Sequence, residues 1–142
     1  MPQKGLSRTA AHLVPRDKFD VEAVGRARTA GFPAVEPLLD ELLEWTQDGN
    51  WPVAAPVISL LASISTPLVP RIRVVLNGSD DIWKYWCLAV VMDFPKDAKQ
   101  MLSAELRRLV KSPTQSEREE GVAERAEYIL DELEAATEEP LI

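Results

Sequence analysis

The chain has 142 residues, of which 46% are hydrophobic, and it carries a formal net charge of −7 at neutral pH. This length suits one domain that buries about two thirds of its unfolded surface without disulfides or metals. The negative charge argues against a general affinity for nucleic-acid phosphates or anionic lipids. The single cysteine, Cys87, excludes an intramolecular disulfide.

The N-terminal residues predict neither a secretory leader nor a folded element. Residues 1–14 include Lys4 and Arg8 and lack a periodic apolar pattern, so we expect a flexible N-terminal arm there. Residues 15–142 are expected to form a single all-helical domain. The most apolar window, residues 53–64, is too short to cross a bilayer. We therefore expect a cytoplasmic protein with no membrane partner.

Helix signals follow one another from residue 20 onwards. Capping acids, prolines in first turns, glycine stops and apolar residues three or four positions apart recur along the chain. The only strand-like fragment, residues 74–76, fits the helical period better. Seven helices are predicted, over Asp20 to Gly31, Pro33 or Pro37 to Asp48, Trp51 to Ile64, Pro67 or Pro70 to Asn77, Asp80 or Asp81 to Phe94, about 97–111, and about 116–136.

The second, fourth and sixth predicted helices repeat one apolar pattern at shifts of 33 and 34 residues. The aligned triplets are Leu39, Leu42 and Leu43, then Ile72, Val75 and Leu76, then Leu106, Leu109 and Val110. Such periods are typical of α-solenoids, in which each helix pair buries its apolar face against its neighbours. We predict an all-α fold, a short right-handed α-solenoid of about three helix pairs preceded by one N-terminal helix. An irregular helical bundle is the alternative.

Residues 80–86 read DDIWKYW and open the fifth predicted helix. Asp80 or Asp81 can cap it, because a carboxylate there accepts backbone N–H groups at the positive end of the helix dipole. After the two acids, Lys84 is the only polar residue before Asp93. A helix that is apolar on all sides is typically a buried central helix. We therefore expect its aromatic rings to fill core volume between predicted helices three and six.

Several short motifs carry a family resemblance. They are LVP (13–15), KFD (18–20), PLL (37–39), LEW (43–45), DGNWPVA (48–54) and DDIWKYW (80–86). Over roughly residues 13–95 the chain resembles a small bacterial family classed as a domain of unknown function. The resemblance implies a compact all-α protein similar to HEAT repeats. It brings no established activity, cofactor or catalytic residue.

Residue types that catalysis needs are missing or poorly placed. The only histidine, His12, lies in the predicted arm, and Cys87 lies in an apolar helix where its thiol is expected to be inert. The six glycines never approach the spacing of a phosphate-binding loop. We predict no enzymatic activity, no catalytic residues, no cofactor and no metal. The acids of the last predicted helix are expected to form a solvated face, namely Glu117, Glu119, Glu120, Glu124, Glu127, Asp131, Glu132 and Glu134.

A non-catalytic protein-interaction module is the function that these features favour. A short solenoid offers a concave surface, and an acidic one suits a basic protein partner. An immunity or antitoxin protein that neutralises a basic toxin would be one such module. Two alternatives remain, a structural or self-associating helical protein and a HEAT-like DNA-base-processing enzyme with Trp51, Trp83 and Asp81 around an extruded base. The net charge argues against nucleic acid as the partner.

The two tryptophan motifs supply the candidate partner-binding residues. In the repeat alignment Asp48 and Asp81 occupy equivalent turns, and an indole follows each turn. One interpretation is that the acids cap helices and the indoles pack over the turns. The other is an exposed anchor cluster of ring edges and charges, of the kind that dominates interface energy. That cluster comprises Asn50, Trp51, Asp81, Trp83 and Lys84.

Overall fold

The computed structural model describes residues 11–138. This part of the chain contains helices and no strand, so the all-α prediction is confirmed. Its nine α-helices are α1 (Val21–Ala30), α2 (Leu39–Glu44), α3 (Ala54–Ile64), α4 (Val69–Leu76), α5 (Asp81–Met92), α6 (Lys96–Gln100), α7 (Ser103–Lys111), α8 (Gln115–Glu119) and α9 (Val122–Glu138). Three one-turn 3₁₀ helices, Ala11–Leu13, Glu36–Leu38 and Thr66–Leu68, complete the helical segments of this range.

Prolines and glycines set many of the helix boundaries. Pro37 and Pro67 lie in the 3₁₀ turns that lead into α2 and α4, where a residue without an N–H group leaves no donor unpaired. The last two predicted helices are each divided in two, as α6 and α7 and as α8 and α9. Gly121 separates the latter pair with φ at 82°, a left-handed conformation that favours glycine.

Helix α5 is the centre of the packing. It contacts α3, α4 and α9, while α2 packs against α3 and α7 packs against α9. Large apolar side chains fill the space between these helices, and each burial stabilises the fold by about 1.5–3 kcal/mol relative to an exposed side chain. The largest fully buried ones are Leu39, Leu42, Leu61, Leu68, Ile72, Leu76, Leu88, Leu102, Leu106, Leu109 and Ile129.

The exposure of α5 differs from the sequence prediction in two ways. Ile82 is 50% exposed, and Trp83, Tyr85 and Trp86 are half-buried, so the helix is central without being buried all round. Its one polar residue, Lys84, is only 3% exposed. On the side where the sixth predicted helix was expected, α5 packs mainly against α9 and not against α7. The apolar pattern alone could not predict the burial of Lys84, because an ion pair described below holds its side chain inside the protein.

The beginning of the described chain differs from the predicted arm. Ala11–Leu13 form a turn that packs against α1, and the Leu13 side chain is buried in the core. The Arg26 Nε group of α1 donates a hydrogen bond of 2.8 Å to the His12 carbonyl and fixes this turn. Residues 1–10, which make up the rest of the arm prediction, lie outside the described residues.

Length and apolarity also bear on membrane insertion. Within residues 11–138, no single helix is long and apolar enough to cross a membrane. Ala54–Ile64 and Thr66–Leu76 reach that length and apolarity only when taken together, across a bend of 108°.

Candidate interaction groove

The first turn of α5 presents two faces. Asp80 is the N-cap residue, and its Oδ1 accepts a hydrogen bond of 3.1 Å from the Trp83 backbone N–H. The predicted cap at Asp80 or Asp81 is thus Asp80. Positions three apart share a helix face, so Asp80 and Trp83 lie together on one side. Asp81 and Lys84 lie together on another.

The Trp83 indole is fixed by a hydrogen bond to Thr46, which lies just after α2. Its Nε1–H donates to Thr46 Oγ1 at 2.9 Å, and the Thr46 hydroxyl donates to the Leu43 carbonyl at 2.7 Å. Thr46 is fully buried. Because the polar edge of the half-buried indole is occupied, the rest of the ring is available as an apolar wall.

This wall closes a groove of about 810 Å³ between α2 and α4. The size falls within the range of known ligand sites, about 300–1,000 Å³. Val74 is 72% exposed there, and it is the most exposed large hydrophobic residue of the described chain. We call this site the α2–α4 groove, and its lining residues are Asp40, Leu43, Glu44, Pro70, Arg71, Val74, Val75, Gly78, Ser79, Asp80 and Trp83.

The charges of the α2–α4 groove leave an acidic excess. Arg71 Nε lies 2.8 Å from Asp40 Oδ1, and Arg71 Nη1 donates to the Pro67 carbonyl, so these two groove charges balance each other. Within the described part of the chain, neither Glu44 nor Asp80 has a cationic partner. Two carboxylates without an ion-pair partner, Glu44 and Asp80, therefore line the groove beside its apolar residues.

The other face of the α5 turn belongs to a buried ion network, which we call the Glu117 network. Lys84 Nζ lies 2.7 Å from both Asp81 Oδ1 and Glu117 Oε2. Arg108 binds Glu117 in bidentate fashion, at 2.7 and 2.8 Å. The Thr114 N–H donates to the same carboxylate at 2.9 Å and completes a capping box at the start of α8. Helices α5, α7 and α8 are thereby joined at one carboxylate.

The protonation states of the Glu117 network follow from these contacts. Hydrogen bonds from Arg108, followed by those from Lys84 and Thr114, outweigh burial and hold the pKa of Glu117 at about 2. Burial would lower the pKa of Lys84, but the hydrogen bonds with Asp81 and Glu117 raise it above its ordinary value. All of these groups are therefore charged at neutral pH.

The structure separates the five predicted partner-binding residues. Trp83 lines the α2–α4 groove, and Asn50 is exposed. Trp51 is half-buried, with its ring edge-on to the ring of Trp45, the residue that follows α2. Asp81 and Lys84 belong to the Glu117 network. An exposed charge at Lys84 was a wrong prediction, because its ammonium group is paired and enclosed. The binding roles of the exposed members stay predictions.

Sequence reasoning missed both the groove acids and the buried glutamate. Glu117 is 1% exposed, so the predicted solvated face is wrong at this residue. A signal was available, since Thr114 to Glu117 spells the Thr-x-x-Glu pattern of a capping box. The exposure of Val74 could also have been predicted, because this residue lies between Ile72 and Val75 in the sequence but outside the apolar stripe that they form on the helix.

The described residues give little support for a metal site or a reactive cysteine. Among residues 11–138, no group of three or more His, Cys, Asp or Glu side chains is placed to hold a metal ion. The Cys87 side chain is fully buried, and this burial raises the pKa of its thiol to about 12. A reactive thiolate is therefore not available there at neutral pH.

Comparison with known proteins places the chain in a family. No curated protein matches it. The profile of DUF5071, a domain of unknown function, matches residues 13–130. This match extends beyond residue 95, where the resemblance in the sequence motifs ended, and it includes every residue of the α2–α4 groove. The chain therefore belongs to the DUF5071 family.

Proposed function

We propose that this protein is a non-catalytic interaction module whose α2–α4 groove binds a basic, partly apolar segment of another protein. The observation that carries the proposal is the exposed Val74 side chain beside the Trp83 wall in a groove with unpaired acids. Exposed apolar surface with a polar rim is typical of interaction sites. Buried aromatic anchors supply much of the binding energy at such sites.

The charge of the groove favours a basic occupant. Glu44 and Asp80 repel an acidic segment and attract lysine or arginine, and the net charge of −7 adds long-range attraction. An immunity or antitoxin protein bound to a basic toxin is one form of this proposal, since such a partner supplies the required charge.

We further propose that the helices form a short HEAT-like stack. Two ion pairs support this arrangement, because each joins corresponding helices of successive pairs. Asp40 of α2 binds Arg71 of α4 over 31 residues, and Arg73 of α4 binds Glu105 of α7 over 32 residues. When repeats of similar length stack in register, residues that pair between neighbouring repeats are separated by similar numbers of residues in the sequence. The groove then lies between the first helices of two neighbouring repeats.

The alternative of a DNA-base-processing enzyme receives less support. That function needs Asp81 beside Trp83 in a pocket open to an extruded base. Asp81 instead lies 2.7 Å from Lys84 Nζ, and it is absent from the lining of the groove that contains Trp83. The two side chains thus serve different sites.

A selection from random peptides tests the proposed function. We expect immobilised protein to enrich peptides that combine lysine or arginine with large apolar residues. Replacing Glu44 with lysine should weaken the selected peptide about tenfold to a hundredfold, because like charges then meet at the groove. The measurement is the dissociation constant of the synthetic peptide, determined by calorimetry.

Glu127 of α9 provides the matched control for this experiment. It is exposed and, within the described residues, has no ion-pair partner. Glu127→Lys makes the same charge change as Glu44→Lys and should leave binding nearly unaltered. Equal losses of peptide affinity in the two variants would show that the peptide is attracted only by the net charge of the protein, which would contradict the proposed function. Failure to enrich any peptide would also contradict it.

A further inference from the structure

The end of the α2–α4 groove beside α5 combines an aromatic ring with two carboxylates. Trp83 forms the wall, Asp80 precedes it by three residues, and Glu44 ends the helix opposite. The remaining acid of the groove, Asp40, is already bound to Arg71. Among the described residues that line the groove, the two acids without an ion-pair partner, Glu44 and Asp80, therefore accompany the Trp83 indole.

The fixed orientation of Trp83 restricts what the ring can contact. Its N–H group is bound to Thr46 Oγ1, so the indole offers no free donor to an incoming acceptor. Its π-face carries partial negative charge and attracts cations. An occupant at this end of the groove consequently meets a cation-attracting ring and the carboxylate oxygens of Glu44 and Asp80.

Among protein side chains, arginine fits this combination best. A guanidinium group is planar, is weakly hydrated and stacks on aromatic rings while its five N–H donors reach carboxylates. A lysine ammonium is a compact, strongly hydrated charge that gains less from the ring face and cannot form the same forked hydrogen bonds. The groove already accommodates one guanidinium, that of Arg71, between carboxylate and carbonyl oxygens.

We infer that the bound segment places an arginine side chain against Trp83, between Glu44 and Asp80. This inference rests on the proposed function and adds to it the identity of one recognised residue. The apolar side chains of the segment then cover Val74 and Pro70, which line the same groove. The protein is thereby selective for arginine over lysine.

The probe for this inference is the peptide most strongly enriched by the wild-type protein, prepared in three synthetic versions. The versions carry arginine, lysine or citrulline, the neutral analogue of arginine, at each arginine position. We expect lysine to weaken binding about threefold to tenfold and citrulline about tenfold or more, because the first loses stacking and forked contacts and the second loses the charge.

Two conservative variants locate the effect. Asp80→Asn keeps a side chain that caps α5 while it removes one charge, and Glu44→Gln changes only an exposed carboxylate. In both variants the preference for arginine over citrulline should shrink, whereas Glu127→Gln on α9 should preserve it. Melting temperatures establish that each variant is folded.

The outcomes separate this inference from the proposed function. An enriched peptide without arginine, or one that tolerates citrulline or lysine without loss, overturns the arginine inference. The groove remains a binding site in that case if Glu44→Lys still weakens binding about tenfold or more. Arginine selectivity that is unchanged in both Asp80→Asn and Glu44→Gln also overturns it. Failure to enrich any peptide contradicts both proposals.

Discussion

Replacing Glu117 with glutamine is expected to lower the free energy of unfolding by about 3 kcal/mol, near the lower end of the cost of breaking a buried ion pair. Glu117 is the shared acceptor for Lys84, Arg108 and the Thr114 N–H group. A neutral amide keeps part of the hydrogen bonding but leaves Lys84 with Asp81 as its only charge partner in the described network. Urea unfolding at pH 7 measures the loss.

The same substitution should alter the acid sensitivity of the protein. The pKa of Glu117 is lowered from 4.5 to about 2 in the folded state, so the unfolded state binds a proton first as the pH falls. The stability that this carboxylate supplies is complete above pH 4.5 and is lost progressively as the pH falls towards 2. Glu117→Gln should therefore show a flatter dependence of unfolding free energy on pH in this window.

Glu120 offers the control for both measurements. It lies three residues further along, is exposed and caps the end of α8 through its backbone only. Glu120→Gln should change stability by less than about 0.5 kcal/mol, as is usual for surface substitutions. A Glu117→Gln variant that matched Glu120→Gln would contradict the view that the Glu117 network joins α5, α7 and α8.

Replacing Gly49 with alanine is the second substitution with a large expected effect. A Cβ atom at this position would overlap the indole of Trp86 at Cδ2, Cε2 and Cε3. Trp86 is itself held edge-on against Tyr85, with ring centroids 5.0 Å apart. Since overpacking of this kind typically costs about 1–3 kcal/mol, we expect Gly49→Ala to destabilise the protein by that amount in urea unfolding.

Gly25 is a matched control with the opposite expected sign. It lies within α1, and a Cβ atom there would meet nothing within 4 Å. Alanine at an exposed helical position is favoured over glycine by about 0.5–1 kcal/mol. Gly25→Ala should accordingly stabilise the protein. A Gly49→Ala variant as stable as the wild type would show that the indole moves aside without cost, and it would refute the close packing of Trp86 on this turn.

The helices could be predicted from the sequence because their signals are local. Prolines, capping acids and leucines three or four positions apart all lie within the segment that they organise, as in α2 and α4. The division between α8 and α9 was harder to predict, because a helical pattern continues across Gly121 and only its positive φ interrupts it. The HEAT-like stack stays a proposal that the spacing of the interhelical ion pairs supports.

The sites depended on partners distant in sequence, and for that reason they were predicted less well. Lys84 resembled a surface charge until its contact with Glu117, 33 residues away, accounted for its burial. Glu117 in turn lay in a run of acids that are otherwise exposed on α8 and α9. Trp83 was identified as a candidate from its motif, but its neighbours Glu44 and Val74 join it only through the packing of α2 and α4.

The central claim is that the α2–α4 groove binds a basic protein segment, and an NMR titration tests it most directly. Backbone and indole resonances of ¹⁵N-labelled protein would be followed as the selected arginine peptide is added. We expect the largest shifts at residues that line the groove, including Val74 and the Trp83 indole N–H. The claim would be contradicted if the shifts were confined to the exposed acids of α9, namely Glu124, Glu127, Asp131 and Glu134.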